Sequence, residues 1–135
     1  MAQRPSSIVF VIDDDEAVRD SLKLLLESHM LTVRDFASAP EFLSAVGARP
    51  RGCVVLDLHL PVLSGLDFLS RYGDRLNGMP VILVTGKSDP ATRARAFEAG
   101  VRDFLEKPFK DDELVIAVIK AMGGSDPNGP RVSPR

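Results

Sequence analysis

Four apolar runs in this chain each lead, directly or one residue on, to a residue suited to metal or phosphate chemistry. Ile8-Val9-Phe10-Val11-Ile12 is followed by Asp13-Asp14-Asp15, and Cys53-Val54-Val55-Leu56 by Asp57. Val81-Ile82-Leu83-Val84 is followed by Thr85, and the shorter stretch from Val101 to Leu105 leads to Lys107. Carboxylates gathered in one place repel, and each raises the others' pKa unless a cation stands among them. Carboxylate oxygens favour a hard divalent ion, and a cluster left partly open to water suits Mg2+ with several waters retained. Lys107 would add a second positive charge on the opposite side, and the Thr85 hydroxyl a hydrogen-bond donor. A gap bounded in this way fits a phosphoryl group, whose transfer needs chiefly positioning and charge neutralisation. Asp57 is the expected nucleophile, because carboxylates form acyl phosphates.

Segments so far apart in sequence need a scaffold that returns them to one place. The first three runs are too short for helices and rich in β-branched residues, and continuous apolarity marks strands buried on both faces of a parallel sheet. Thr32-Val33-Arg34-Asp35-Phe36 alternates and reads as an edge strand. Helical spacing appears in Val18, Leu22, Leu25 and Leu26, and again in Leu114, Val118, Ala121 and Met122 behind Asp111-Asp112-Glu113. Ser64 is placed to cap a helix through about Leu76, with a turn at Asn77-Gly78. Asp89-Pro90 opens a further helix that Gly100 closes, and a short one is expected from Pro40 to Val46. Strand and helix thus alternate five times. The expectation is one doubly wound α/β domain, a parallel sheet with helices on both faces. In such a sheet the carboxyl ends of the strands share one edge, where ligands bind. Asp13, Asp14, Asp57, Thr85 and Lys107 should therefore converge.

The composition agrees with a single soluble domain: 135 residues, 44% apolar and 27% charged. No apolar stretch approaches the roughly 20 residues of a membrane span. The first run is too short for a signal peptide, so the cytoplasm is the expected compartment. A single cysteine, Cys53, excludes an internal disulfide framework and a cysteine-built zinc site. A formal charge of −2 and the lack of tryptophan argue against direct nucleic-acid binding by this chain.

The ordered set resembles the receiver domain of two-component response regulators. It comprises Asp13-Asp14, Asp57 with Pro61 and Gly65 after it, Thr85, and Lys107-Pro108; Thr85 lies 28 positions after Asp57, and Lys107 lies 22 positions after Thr85. Val84-Thr85-Gly86 and Asp103-Phe104-Leu105-Glu106-Lys107-Pro108-Phe109 look most like receivers of nitrogen-fixation-type transcriptional regulators. The resemblance implies a receiver domain over residues 7–122, while 123–135, with three glycines, three prolines and no hydrophobic periodicity, reads as a flexible C-terminal tail or linker stub. It implies a flavodoxin-like five-stranded sheet in the order 2-1-3-4-5. It implies Asp57 as phosphoacceptor, Asp14 as direct Mg2+ ligand, Asp13 as a ligand through water, and the His59 backbone carbonyl as another. Lys107 and Thr85 would contact the phosphoryl group, Phe104 would be the aromatic switch residue, and Lys107-Pro108 is a candidate cis bond. The His59 side chain and Lys87 stand where they could influence phosphate lifetime. The implied donor is a sensor histidine kinase or a histidine phosphotransfer protein. The implied product is a switch rather than an enzyme, either a single-domain regulator or a truncated transcriptional regulator.

Simpler roles compete at several positions. Asp15 is expected as a helix cap, Cys53 as a small buried hydrophobe, Tyr72 as packing and His29 as a helix-end residue. Phe104 could be ordinary core. The fourth helix has mostly alanines plus Phe97 on its apolar side, so its grip on the sheet should be weak. That helix and the fifth strand are the expected face for a downstream protein or a second copy of the chain. Among other functions, a non-phosphorylated receiver-like scaffold or interaction module is the main alternative. A phosphohydrolase would need a second acid close behind Asp57, where Leu58-His59-Leu60-Pro61 stands. A flavin site would need a phosphate-binding loop where three aspartates stand.

Overall fold

The strand candidates do pair. In the computed structural model, which describes residues 8–47, 50–87 and 89–123, strands and helices alternate along the whole described chain. The elements run β1 (Ile8–Ile12), α1 (Glu16–Glu27), β2 (Thr32–Phe36), α2 (Ala39–Ala45), β3 (Gly52–Asp57) and α3 (Gly65–Tyr72). A 3-10 turn at Gly73–Leu76 leads to β4 (Val81–Thr85), α4 (Pro90–Glu98), β5 (Asp103–Glu106) and α5 (Asp111–Gly123). The five strands form one parallel sheet in the order β2-β1-β3-β4-β5. β2 is an edge strand, as its alternation predicts.

Side chains alternate across the sheet and so build two cores. Phe10, Ile12, Val54, Leu56, Leu83 and Phe104 pack on one face against Phe42, Phe68 and Ala96 of α2, α3 and α4. Val9, Val11, Cys53, Val55, Ile82 and Val84 pack on the other against Leu22 and Leu26 of α1 and Leu114 and Val118 of α5. Phe42 meets Phe10 and Phe36 edge-on, with ring centroids 5.5 Å away in each case. Burying each such side chain contributes about 2–3 kcal/mol. Asp15, Ser38, Ser64 and Asp89 cap α1, α2, α3 and α4 through main-chain amides of the first turn. Within α4 only Ala96 is buried, in keeping with its scarcity of large apolar residues.

Several boundaries differ from expectation. The helix from Ser64 is α-helical only to Tyr72 and tightens to 3-10 from Gly73, whose missing side chain weakens helical continuation. Asn77 then ends it in the left-handed conformation, φ 56°. The fifth strand begins at Asp103 rather than Val101, because the Val101 amide donates back to the Ala96 carbonyl of α4. α5 extends to Gly123, one residue past the expected domain end. Ser7 and the expected tail from residue 124 onward lie outside the described residues. Among the described residues, no helix is long and apolar enough to cross a membrane.

Candidate functional site

The sheet order changes direction between β1 and β3, and their carboxyl ends flank the crevice where such folds bind ligands. Asp13 is the first residue beyond β1 and is 3% exposed. Its amide donates to the Phe36 carbonyl of β2 at 3.1 Å, which continues the ladder by one rung. Its Oδ1 accepts from the Asp15 amide at 2.9 Å, and its Oδ2 pairs with Lys107 Nζ at 3.3 Å. Asp14 follows and is exposed. Asp15 turns out to be the cap, accepting from the amides of Ala17 and Val18 at 3.0 and 3.3 Å.

Asp57 ends β3 and is also buried. Its Oδ1 accepts the His59 amide at 3.1 Å. Gly65, at the start of α3, lies so close that a Cβ there would stand 2.8 Å from the Asp57 carbonyl oxygen. The motif needs a glycine at that point because the helix start abuts the strand end. Carboxylate oxygens of Asp13, Asp14 and Asp57 lie within 4.8 Å of one another. Three oxygens at this spacing, with no sulfur or imidazole among them, fit a hard divalent cation. Burial raises the pKa of the Asp57 carboxyl, and the Asp13 and Asp14 charges push the same way. The His59 amide and the Lys107 ammonium oppose them without cancelling them.

Lys107 follows β5, and its bond to Pro108 is cis. The ammonium is paired with Asp13 rather than with Asp57. Thr85, the last residue of β4, is completely buried. Its hydroxyl is held in a local turn, donating to the Lys87 carbonyl at 2.6 Å and accepting the Lys87 amide at 3.1 Å. His59 is exposed and meets the site through its amide. Phe104 is 4% exposed and belongs to the core. Its ring lies 6.4 Å from that of Phe97 on α4, and the Arg93 guanidinium sits over both rings at 5.3 and 5.5 Å. Tyr72 packs on Phe68, and Cys53 is buried with its thiol pushed up to about 12 by desolvation. His29 is an exposed residue just beyond α1.

Sequence reasoning missed two residues beside the acids. Arg19 of α1 donates through Nη1 to the Asp13 carbonyl at 2.8 Å and through Nε to Asp35 Oδ2 of β2 at 3.1 Å. The available signal was spacing: Arg19 lies one helical turn after the cap Asp15, and so returns to the loop that carries the acids.

Comparison with known proteins gives a consistent result. The family model described as the response regulator receiver domain matches residues 9–119. The transcriptional regulatory protein FixJ of Azorhizobium caulinodans is 44% identical over 126 residues, a match covering 93% of this chain and 60% of that protein. The chain therefore spans about three fifths of that relative's length. A CheY-like response regulator receiver domain protein from Methanospirillum hungatei superposes with a TM-score of 0.84 at 25% identity, covering 93% of this chain and all of that one. A Burkholderia pseudomallei response regulator crystallised with a phosphorylated aspartic acid, calcium ion and citrate gives a TM-score of 0.76 at 27% identity. That match covers 91% of this chain and 73% of the other.

Proposed function

The chain belongs to the response regulator receiver domain family, and from that premise we propose that Asp57 is its phosphoacceptor, loaded in the presence of Mg2+. It is a receiver of the FixJ-like kind, a signalling domain. The supporting observation is the meeting of Asp13 and Asp14 from the end of β1 with Asp57 from the end of β3, beside an ammonium from the end of β5. The donor would be a phosphohistidine of a sensor kinase or phosphotransfer protein. An Asp57 oxygen attacks phosphorus, the new O–P bond forms as the N–P bond breaks, and the ring leaves as neutral imidazole because its other nitrogen already carries a proton. Hydrolysis later returns the carboxylate and inorganic phosphate. Asp14 and Asp57 would hold Mg2+ directly, Asp13 through water and His59 by its backbone carbonyl, and the ion would neutralise charge on the phosphoryl oxygens.

The remaining steps fall to the chain's own groups. Lys107 turns from Asp13 toward a phosphoryl oxygen, exchanging one charge-assisted contact for another. The Thr85 hydroxyl gives up the Lys87 carbonyl and donates to the phosphoryl group. That exchange pulls on the β4–α4 connection and on Phe104 beneath α4. The face made by α4 and β5 would then present a changed surface to a downstream protein or a second copy of the chain. The compartment would be the cytoplasm, and nucleic acid would be reached only through such a partner or through an attached domain. Incubation with acetyl phosphate and Mg2+, followed by intact mass measurement, tests the proposal. One added phosphoryl group is expected, absent from Asp57→Ala and strongly reduced by chelation. Retention of the label by Asp57→Ala would overturn the acceptor assignment.

A further inference from the structure

We infer that Arg19 is a positioning residue that sets the direction of the two β1 acids, and that Asp35 of β2 holds it in place. The inference rests on the Mg2+ reading above and adds to it the residue that aims the acids. Asp13 is almost fully buried, and its carbonyl belongs to the peptide that joins it to Asp14. The amide side of Asp13 is held by the Phe36 carbonyl. The carbonyl side is held by Arg19 Nη1 at 2.8 Å. The neighbouring β2 residue, Asp35, receives Arg19 Nε at 3.1 Å, with Lys23 Nζ at 3.9 Å as a looser second partner.

Two consecutive residues of the edge strand thus grip both sides of Asp13, one directly and one through a guanidinium. The side chains of Arg19 and Asp35 are 15% and 26% exposed, so this bridge is partly shielded from competing water. A guanidinium suits the task because its rigid planar fork donates in two fixed directions at once. The plane of the Asp13–Asp14 peptide decides where the Asp14 carboxylate starts from. Without Arg19 a buried carbonyl loses its donor, and that plane is free to turn. The acids would still be present but no longer aimed, so the consequence falls on ion binding rather than on the transfer chemistry.

Mg2+ binding to the unphosphorylated protein, followed by calorimetry, is compared with the Mg2+ dependence of acetyl phosphate labelling. Arg19→Met is expected to weaken Mg2+ binding about tenfold and to raise the half-saturating Mg2+ for labelling equally, while the rate at saturating Mg2+ stays within about twofold. Asp35→Asn should weaken binding about threefold alone and add nothing to Arg19→Met, since both act through one bridge. Arg19→Lys should fall between Arg19→Met and wild type. Should Arg19→Met fail to fold, Asp35→Asn and Arg19→Lys decide the matter by the same readouts. Unchanged Mg2+ affinity in folded variants, or a slower saturated rate without an affinity change, overturns the role of Arg19 alone. A wild-type protein that binds no Mg2+ overturns the underlying reading instead.

Discussion

Asp57 sits where its charge is unwelcome. Because its pKa is raised in the fold, the native state binds that proton more readily than the unfolded chain does. Ionised Asp57 therefore costs stability above its folded pKa, and the cost is relieved as pH falls through that value. Asp57→Asn should stabilise the ion-free protein at neutral pH, with the gap to wild type closing in acid. Urea unfolding in chelator at the two pH values reads this. Gly65→Ala should do the opposite, costing about 1–3 kcal/mol, since its Cβ would press 2.8 Å from the Asp57 carbonyl. Cys53 keeps its proton to about pH 12 against 9.0 for an ordinary thiol. The native state thus holds that proton where the unfolded chain has lost it. Its contribution is intact below pH 9 and lost as pH climbs toward 12, so Cys53→Ala should show a shallower alkaline fall in unfolding experiments. The acids were legible because each directly follows a buried strand. Arg19 was not, because a lone arginine on an amphipathic helix reads as its solvated side until Asp13 and Asp35 are seen around it.

At the scale of elements, α4 differs from its neighbours. Ala96 is its only buried side chain, and on β5 the Phe104 ring is met by Phe97 and Arg93 of the helix, with the Arg93 guanidinium over both rings. A cation held over aromatic rings contributes about 0.5–1 kcal/mol at an exposed site, which matters for a helix with so little else. Arg93→Ala should speed amide exchange across residues 90–99 severalfold and leave α1 and α5 unchanged; equal exchange in α4 would assign the helix another anchor. The sequence signals for α4 were its cap, its first-turn proline and its poverty of large apolar residues. The stack was not legible, because Arg93 and Phe104 meet only once β5 lies beneath the helix. Val101 misled as a strand residue for a related reason. It is buried, yet its amide closes the end of α4, and apolarity alone does not separate the two uses.

At the scale of the molecule, the parallel sheet is the device that brings Asp13, Asp57, Thr85 and Lys107 to one rim. The alternation of strand and helix made the layered class legible, whereas the strand order came from family resemblance, since short connections alone permit several orders. An ion bound only by the folded rim must stabilise the whole fold. At roughly a hundredfold excess over Kd, Mg2+ should add about 2.7 kcal/mol to unfolding, and Asp14→Asn should largely abolish the gain. The acceptor and the ion should meet at the rim, between the ends of β1 and β3. A crystal structure grown with Mg2+ and beryllofluoride should place the fluoride adduct on an Asp57 oxygen, with the ion against Asp14 and Asp57 and with Lys107 Nζ and the Thr85 hydroxyl on the fluorides. An adduct on another carboxylate, or an ion seated away from the three acids, would contradict it.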